Sequence, residues 1–164
     1  MSGTLTYQTG DVTTPTEKGH KIIPHVTNLV GGWGAGFVLA LSKKWPQPEK
    51  EYRNLFASFK QTVPALGLTQ FVDVEPDITV ANMMAQKFLG IRTDKYGKKQ
   101  IPLDYPALEL CMKSVAKEAL NRKSIIVTPR FGSGLAGGDP ALIEKMIKKI
   151  WCDAGINVSI YDFG

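Results

Sequence analysis

The chain has 164 residues, of which 43% are hydrophobic and 21% charged, as expected for one ordinary globular domain over residues 1–164. Its formal net charge of +5 comes from basic pairs scattered along the sequence, which favours a solvated surface over a nucleic-acid-binding stripe. No apolar run approaches the length of a membrane span, so the composition excludes a membrane-spanning protein.

The predicted elements alternate between strands and helices. The first half predicts strands over residues 5–8 and 21–27, helices over 34–44 and 49–62, and two strands, Thr69–Glu75 and 78–84, joined by a tight turn at Pro76-Asp77. The second half predicts a mobile polar loop over 90–102, a helix over 105–120, a buried strand over 124–128, a helix from Pro140 to about Asp153, and a closing strand over 157–161. This order predicts a three-layer α/β/α domain with a mixed central sheet.

Cys111 and Cys152 lie inside helical patterns, have no partner at metal-ligand spacing and follow no signal peptide, which predicts reduced thiols. We therefore expect a cytoplasmic protein, in the host cytoplasm if a virus or phage encodes it. We also expect a monomer without a metal ion or a cofactor.

Two glycine-rich loops each follow a predicted strand and precede a helix. The first, residues 28–37, has four glycines among positions 31–36, and the second, residues 129–138, has four among positions 132–138. Glycine allows backbone N–H groups to approach a ligand closely, so this arrangement is typical of a phosphate site, although a purely structural turn is the alternative. Neither loop has the lysine of a Walker A motif or the spacing of a Rossmann fingerprint. The pair therefore predicts one crevice that binds a diphosphate, such as a nucleotide diphosphate-sugar, without transferring phosphate.

Four segments in order resemble the motifs of the macro domain family: Gly10-Asp11-Val12-Thr13, His25-Val26-Thr27-Asn28, the first loop from Gly31 to Phe37, and the second loop from Gly132 to Gly138. The segments Val80 to Gln86 and Val158 to Asp162 support the resemblance, which covers essentially the whole chain. The chain is most similar to the branch of ADP-ribose 1″-phosphate phosphatases and their relatives that remove ADP-ribose from glutamate.

The resemblance implies ADP-ribose or its 1″-phosphate as the ligand and supplies roles for individual residues. Asp11, beside Gly10 and Val12, would accept a hydrogen bond from the adenine amine, and Tyr161 or Phe163 would flank the adenine. The first loop would cover the pyrophosphate and distal ribose through Thr27, Asn28, Gly32, Trp33, Gly34, Ala35, Gly36 and Phe37. The second loop would wrap the phosphates through Gly132, Ser133, Gly134, Leu135, Ala136, Gly137 and Gly138. The alternatives are a turn aspartate at Asp11, a packed loop aromatic at Trp33 and a buried aromatic at Tyr161.

Removal of the 1″-phosphate without a metal ion is the reaction that the resemblance favours, with His25 and Asp139 as candidate catalytic residues. An unperturbed histidine can donate or accept a proton near neutral pH, but alternation along the strand is equally typical of a buried core histidine. Asp139 could orient water or serve as a helix N-cap. Ala136 stands where the ADP-ribosyl-glutamate hydrolases have an aspartate, and Lys87 is the nearest lysine, so their covalent lysine mechanism is not favoured. The alternatives are an ADP-ribosyl hydrolase acting on modified macromolecules and a non-catalytic reader of ADP-ribose.

Overall fold

Strands and helices alternate in the computed structural model, which describes residues 2–58 and 66–162. The strands are β1 (Leu5–Thr9), β2 (Lys21–Asn28), β3 (Thr69–Glu75), β4 (Ile78–Gln86), β5 (Arg92–Thr93), β6 (Lys99–Gln100), β7 (Ile125–Pro129) and β8 (Val158–Asp162). The helices are α1 (Phe37–Lys44), α2 (Gln47–Ser58), α3 (Tyr105–Arg122) and α4 (Pro140–Met146), and α4 continues into a π-helical turn over Ile147–Cys152.

The central sheet is mixed, as predicted, because its parallel strands are joined by one antiparallel edge strand. Within the described residues its order is β1-β8-β7-β2-β4-β3, and β3 runs antiparallel to β4 while the other neighbours are parallel. The carboxyl ends of parallel strands meet at one edge of a sheet. The strands that precede the two glycine-rich loops, β2 and β7, are direct neighbours. Their pairing brings the two loops together at this edge.

Helices cover both faces of the sheet, which confirms the three-layer prediction. Successive side chains of a strand point to opposite faces. Ile22 of β2 therefore packs in the core with α3 and α4, whereas Ile23 packs in the core with α1 and α2. Because the sheet is covered on both sides, β2 and β4 are buried along nearly their whole length. No helix within residues 2–58 and 66–162 is long and apolar enough to cross a membrane.

Three predicted segments differ from the structure. The helix predicted over residues 34–44 begins at Phe37, because Gly36 has φ 81° and ψ −148°, outside the helical region. The helix predicted over 49–62 begins at Gln47, and its predicted last turn, beyond Ser58, lies outside the described residues. The segment predicted as a polar loop contains the short antiparallel hairpin β5–β6. Local periodicity does not reveal a hairpin whose strands have two residues each.

Candidate functional site

A cleft of about 380 Å³ opens at the carboxyl edge of the sheet, between the two glycine-rich loops. It is lined by the last residues of β2, β4 and β7 and by the segments that follow these strands. The predicted site residues among them are His25, Thr27, Asn28, Gly32, Gly34, Ala35, Gly36, Phe37, Gly132, Ser133 and Ala136. The structure thus brings most of the first loop and part of the second loop to one cavity.

Asn28 holds the first loop in shape. Its Oδ1 accepts hydrogen bonds from the backbone N–H groups of Val30 and Gly32, each at 3.0 Å, and its Nδ2 donates to the Gly32 carbonyl at 2.8 Å. The hydroxyl of the fully buried Tyr52 donates to the Asn28 carbonyl at 2.7 Å. Burial raises the pKa of this phenol, so it remains a donor at neutral pH. Asn28 therefore organises the loop, and its contact with a ribose hydroxyl remains a prediction.

The amino terminus of α1 faces the cleft directly after this loop. Gly36, Phe37 and Val38 line the cavity, and the described first turn has no acidic residue and no side-chain cap. The first N–H groups of a helix have no partner within the helix and carry a partial positive charge. This end of the cleft is therefore suited to an anion such as a phosphate group.

The second loop is folded back tightly on itself. Gly138 donates its N–H to the Gly132 carbonyl at 2.8 Å, and a Cβ added at position 138 would lie 2.3 Å from that oxygen. Gly132, Gly134 and Gly137 have φ of 79°, 60° and 79°, values that only glycine adopts easily. Glycine is required here for closure of the loop, which aims Gly132 and Ser133 at the cleft.

His25 lies at the floor of the cleft and is 2% exposed. Its ring packs edge-on against Trp33 and Phe37, with ring centroids 5.4 and 5.8 Å away. Burial lowers the pKa of the imidazole to about 4, although a hydrogen bond from the ring to Asn82 partly opposes this shift. His25 is therefore neutral at physiological pH and is poorly suited to donate a proton as an imidazolium.

The tautomer of His25 follows from the orientation of the Asn82 amide. Asn82 Nδ2 donates to the carbonyl of Pro48 at 3.2 Å and to Gln70 Oε1 at 3.0 Å, so its Oδ1 must face the histidine. Because that oxygen accepts from His25 Nε2 at 2.5 Å, Nε2 carries the proton. Nδ1 is then an acceptor without a hydrogen-bond partner in the described part of the chain. A ligand hydroxyl in the cleft could donate to it.

Asp139 does not line the cleft. Its Oδ1 accepts from the backbone N–H of Ala141 at 3.0 Å, which makes it the N-cap of α4. Its own N–H donates to the Tyr105 hydroxyl at 2.8 Å. The structure therefore gives Asp139 a capping role, and a catalytic role for it remains untested.

Several other predicted residues lie outside the cavity lining. Asp11 follows β1 at the same edge of the sheet, but its Oδ1 accepts from the N–H and hydroxyl of Thr13 at 2.9 and 2.7 Å.

Trp33 is 5% exposed and donates its ring N–H to Ser42. The buried Tyr161 contacts Glu17 through its hydroxyl. Also absent from the described lining are Gly10, Val12, Gly134, Gly137 and Gly138, whereas the side chain of Leu135 lies outside the described part of the chain. Phe163 lies outside the described residues.

The cleft also has walls that were not predicted. Gln86 is the last residue of β4, and Leu89 and Gly90 follow it; they reach the cleft because β4 pairs with β2. Arg130 lines the cavity from the end of β7, with its Nε 2.5 Å from Asp162 Oδ1. Arg130 belongs to the second glycine-rich loop, and a basic residue in such a loop is a sequence signal that could have identified it as a cleft residue. The contribution of the β4 segment depends on strand order, which the sequence does not reveal.

A lysine–aspartate pair is not assembled in the described cleft. Ala136 lines the cavity and is 4% exposed, while Lys87 lies outside the lining and its Nζ is 3.9 Å from Asp104 Oδ1. Within residues 2–58 and 66–162, no group of three His, Cys, Asp or Glu side chains is arranged to hold a metal ion. The polar groups that the cleft offers are backbone N–H groups, neutral side chains and Arg130.

Comparison with solved structures gives similarity over nearly the whole chain. A macrodomain protein from Streptomyces coelicolor is 40% identical, with a TM-score of 0.82 over 98% of this chain and 99% of that one. A protein of unknown function from Bacteroides thetaiotaomicron is 43% identical, with a TM-score of 0.89 over the same shares. DarTG from Thermosipho africanus, solved in complex with ADP-ribose, is 13% identical with a TM-score of 0.72, over 96% of this chain and 41% of that one. The last likeness concerns the fold alone.

Two curated proteins are more distant relatives. The chain is 28% identical to a chromodomain-helicase-DNA-binding protein 1-like from Danio rerio, over 96% of this chain and 15% of that protein. It is 24% identical to an ADP-ribose 1″-phosphate phosphatase from Saccharomyces cerevisiae, over 72% of this chain and 64% of that protein. This chain therefore spans less than two thirds of either relative. No family model matches the sequence.

Proposed function

This chain belongs to the macrodomain family, as its 40% identity to the Streptomyces coelicolor macrodomain protein shows, and we propose that its cleft binds ADP-ribose. The resemblance of the sequence to this family is thereby confirmed. The ligand is a proposal supported by the cleft and by the ADP-ribose bound in a protein of the same fold.

The observation that carries the proposal is the cleft between the two loops. The amino terminus of α1 and the backbone of the second loop border the same cavity, and the Arg130 guanidinium, which is paired with Asp162, lies beside them. The helix terminus and the second loop can each donate backbone N–H groups to one phosphate, so together they suit a diphosphate. The cavity of about 380 Å³ lies within the usual size range of small-molecule sites. His25 Nδ1 would accept a hydrogen bond from a ribose hydroxyl.

As the reaction, we propose hydrolysis of ADP-ribose 1″-phosphate to ADP-ribose and phosphate. The yeast relative with this activity in its name supports the proposal. Arg130 would stabilise the negative charge that is present on the departing phosphate. Neutral His25 would hold the distal ribose by its hydroxyl and would not supply a proton.

One observation favours a second candidate, a reader that binds ADP-ribose without turnover. No carboxylate occurs among the described residues that line the cleft, and the one histidine there is neutral and buried. Hydrolysis normally uses a group that activates water near the scissile bond. A cleft without such a group binds its ligand and leaves it intact.

Calorimetry with ADP-ribose tests the binding site. Gly34 lines the cleft, and a Cβ there would meet nothing within 4 Å, so the fold should accept larger residues at this position. Gly34→Asp places a carboxylate beside the proposed phosphate site and should weaken binding at least tenfold by charge repulsion. Gly34→Asn has nearly the same shape without the charge and should change affinity less than threefold. Equal affinities in the two variants would contradict the proposed phosphate position.

Phosphate release from ADP-ribose 1″-phosphate then separates the two candidates. If the unmodified protein releases phosphate and the His25→Ala variant releases it more slowly, the phosphatase is supported. Binding of the compound without release after prolonged incubation supports the reader. Loss of ADP-ribose from a modified macromolecule, with no release from the 1″-phosphate, would instead identify an ADP-ribosyl hydrolase. Absence of both binding and release would overturn the proposed function.

A further inference from the structure

Five basic side chains are concentrated on the segment 87–100, which we call the basic hairpin. It contains Lys87, Arg92, Lys95, Lys98 and Lys99, and all five are exposed. In the sequence these residues are isolated or paired, so they look like part of the basic residues that are scattered along the whole chain. The pairing of β5 with β6 brings Arg92, Lys95, Lys98 and Lys99 together, and Lys87 lies at the base of the hairpin, where its N–H donates to the Pro102 carbonyl at 2.9 Å.

The only acidic residue of this segment does not neutralise these charges. Asp94 Oδ1 accepts from the backbone N–H groups of Tyr96 and Lys98 at 2.9 and 2.8 Å, which closes the turn between the strands. Among the described residues, Lys87 has a carboxylate 3.9 Å away, whereas the other four basic residues have none within salt-bridge distance. The hairpin therefore presents uncompensated positive charge to the solvent.

Aromatic rings lie among these charges. The Arg92 guanidinium is 4.0 Å from the centre of the Phe88 ring, and Lys95 Nζ is 5.1 Å from the centre of the Tyr96 ring. Tyr96 is 82% exposed at the tip of the hairpin. An aromatic ring left this open contributes nothing to a core, but it can stack on an unpaired base.

The base of the hairpin is anchored to the rest of the domain. Ile91 and Ile101 pack against Gly137 of the second loop, where an added Cβ would lie 2.9 Å from Ile101 Cγ2. The Asp94 backbone also bonds across the turn, with its N–H donating to the Lys98 carbonyl at 2.9 Å. The charges are thus held close together before any partner binds, which lowers the entropic cost of binding.

We propose that the basic hairpin binds single-stranded nucleic acid, with phosphates at the lysines and Arg92 and a base stacked on Tyr96. Positive charge alone would accept any polyanion. The exposed tyrosine favours unpaired bases over an acidic peptide, because a peptide carboxylate gains little from an aromatic face. The five basic residues and Tyr96 are not among the described residues that line the cleft, so this inference does not depend on ADP-ribose binding.

Fluorescence anisotropy with a labelled twelve-nucleotide thymidine strand tests the proposal. Lys95→Glu with Lys98→Glu should weaken binding at least tenfold, whereas Lys145→Glu with Lys149→Glu makes the same change of charge on another exposed surface and should weaken it less than threefold. Tyr96→Ala, which leaves the charge unchanged, should weaken binding about tenfold through lost stacking. ADP-ribose affinity should remain the same in all of these variants, so the result is independent of the cleft.

Three outcomes would overturn the proposal. The first is no binding by the unmodified protein at low salt, where phosphate contacts are strongest. The second is an equal loss in the two double variants, which would indicate diffuse attraction to net charge. The third is equally tight binding of a labelled polyglutamate peptide of the same charge, which would indicate an acidic-peptide surface. Circular dichroism spectra of the variants establish that each one folds.

Discussion

The buried, neutral state of His25 makes a quantitative prediction about stability. The pKa of a histidine in the unfolded chain is about 6.5, whereas that of folded His25 is about 4 because the side chain is buried. Between these two values the unfolded state binds a proton that the folded state does not. The stabilising effect of burying the neutral ring is therefore complete above pH 6.5 and is lost as the pH falls toward 4.

The size of this effect follows from the two pKa values. Proton linkage predicts that His25 alone lowers the free energy of unfolding by about 2 kcal/mol between pH 7 and pH 5. His25→Gln cannot titrate but retains an amide N–H for Asn82 Oδ1. Between pH 7 and pH 5 its free energy of unfolding should therefore fall by about 2 kcal/mol less than that of the unmodified protein.

Urea unfolding of both proteins at pH 7, 6 and 5 measures this difference. Only the pH dependence of each protein is compared, so the packing cost of the substitution cancels. In parallel, nuclear magnetic resonance of the imidazole nitrogens reports the tautomer, and the signal lost in His25→Gln assigns His25. Equal pH slopes, a His25 pKa near 6.5 or a proton on Nδ1 would refute the reasoning.

Three further predictions concern the loops and caps. Asp139→Ala should cost about 1 kcal/mol of stability, because α4 loses its N-cap, while any turnover of ADP-ribose 1″-phosphate should change less than twofold. Gly138→Ala should destabilise the protein and weaken ADP-ribose binding at least tenfold, because its Cβ would lie 2.3 Å from the Gly132 carbonyl oxygen. Tyr52→Phe should lower the free energy of unfolding by about 1–2 kcal/mol, because the hydroxyl that donates to the Asn28 carbonyl at 2.7 Å is lost. Urea unfolding, calorimetry and phosphate release measure these effects.

Two of these predictions have a matched control variant, and all three have a contradicting result. Asp139→Asn retains a capping oxygen and should restore most of the stability; a large loss of turnover in both Asp139 variants would instead indicate a catalytic carboxylate. Gly34→Ala adds a methyl group in open space and should be nearly neutral, so equal effects at positions 34 and 138 would contradict the steric argument. No loss of stability in Tyr52→Phe would mean that Asn28 holds the first loop without this bond.

The order of strands and helices could be predicted because local periodicity shows which residues must be buried. The buried runs of β2 and β7, and the glycine-rich segments after them, predicted two loops at one edge of the sheet, and their pairing confirms this arrangement. The helix start at Phe37 could not be predicted from apolar spacing, because the dihedral angles of Gly36 decide it. Likewise, the hairpin β5–β6 depends on a turn closed by Asp94 and has no periodic signal.

The sequence by itself determined the order of the elements and the two loops, because backbone freedom at glycine and alternation along strands are local properties. Its resemblance to the macro domain family supplied the fold family. Only the tertiary structure decided the protonation state and the tautomer of His25. The residue that sets its tautomer, Asn82, is 57 positions away and becomes its neighbour through the pairing of β2 with β4. The same holds for Leu89 and Arg130, which reach the cleft from different strands. Charge, tautomer and cavity shape depend on contacts between distant segments, and the packing free energy that selects those contacts cannot be read from local sequence.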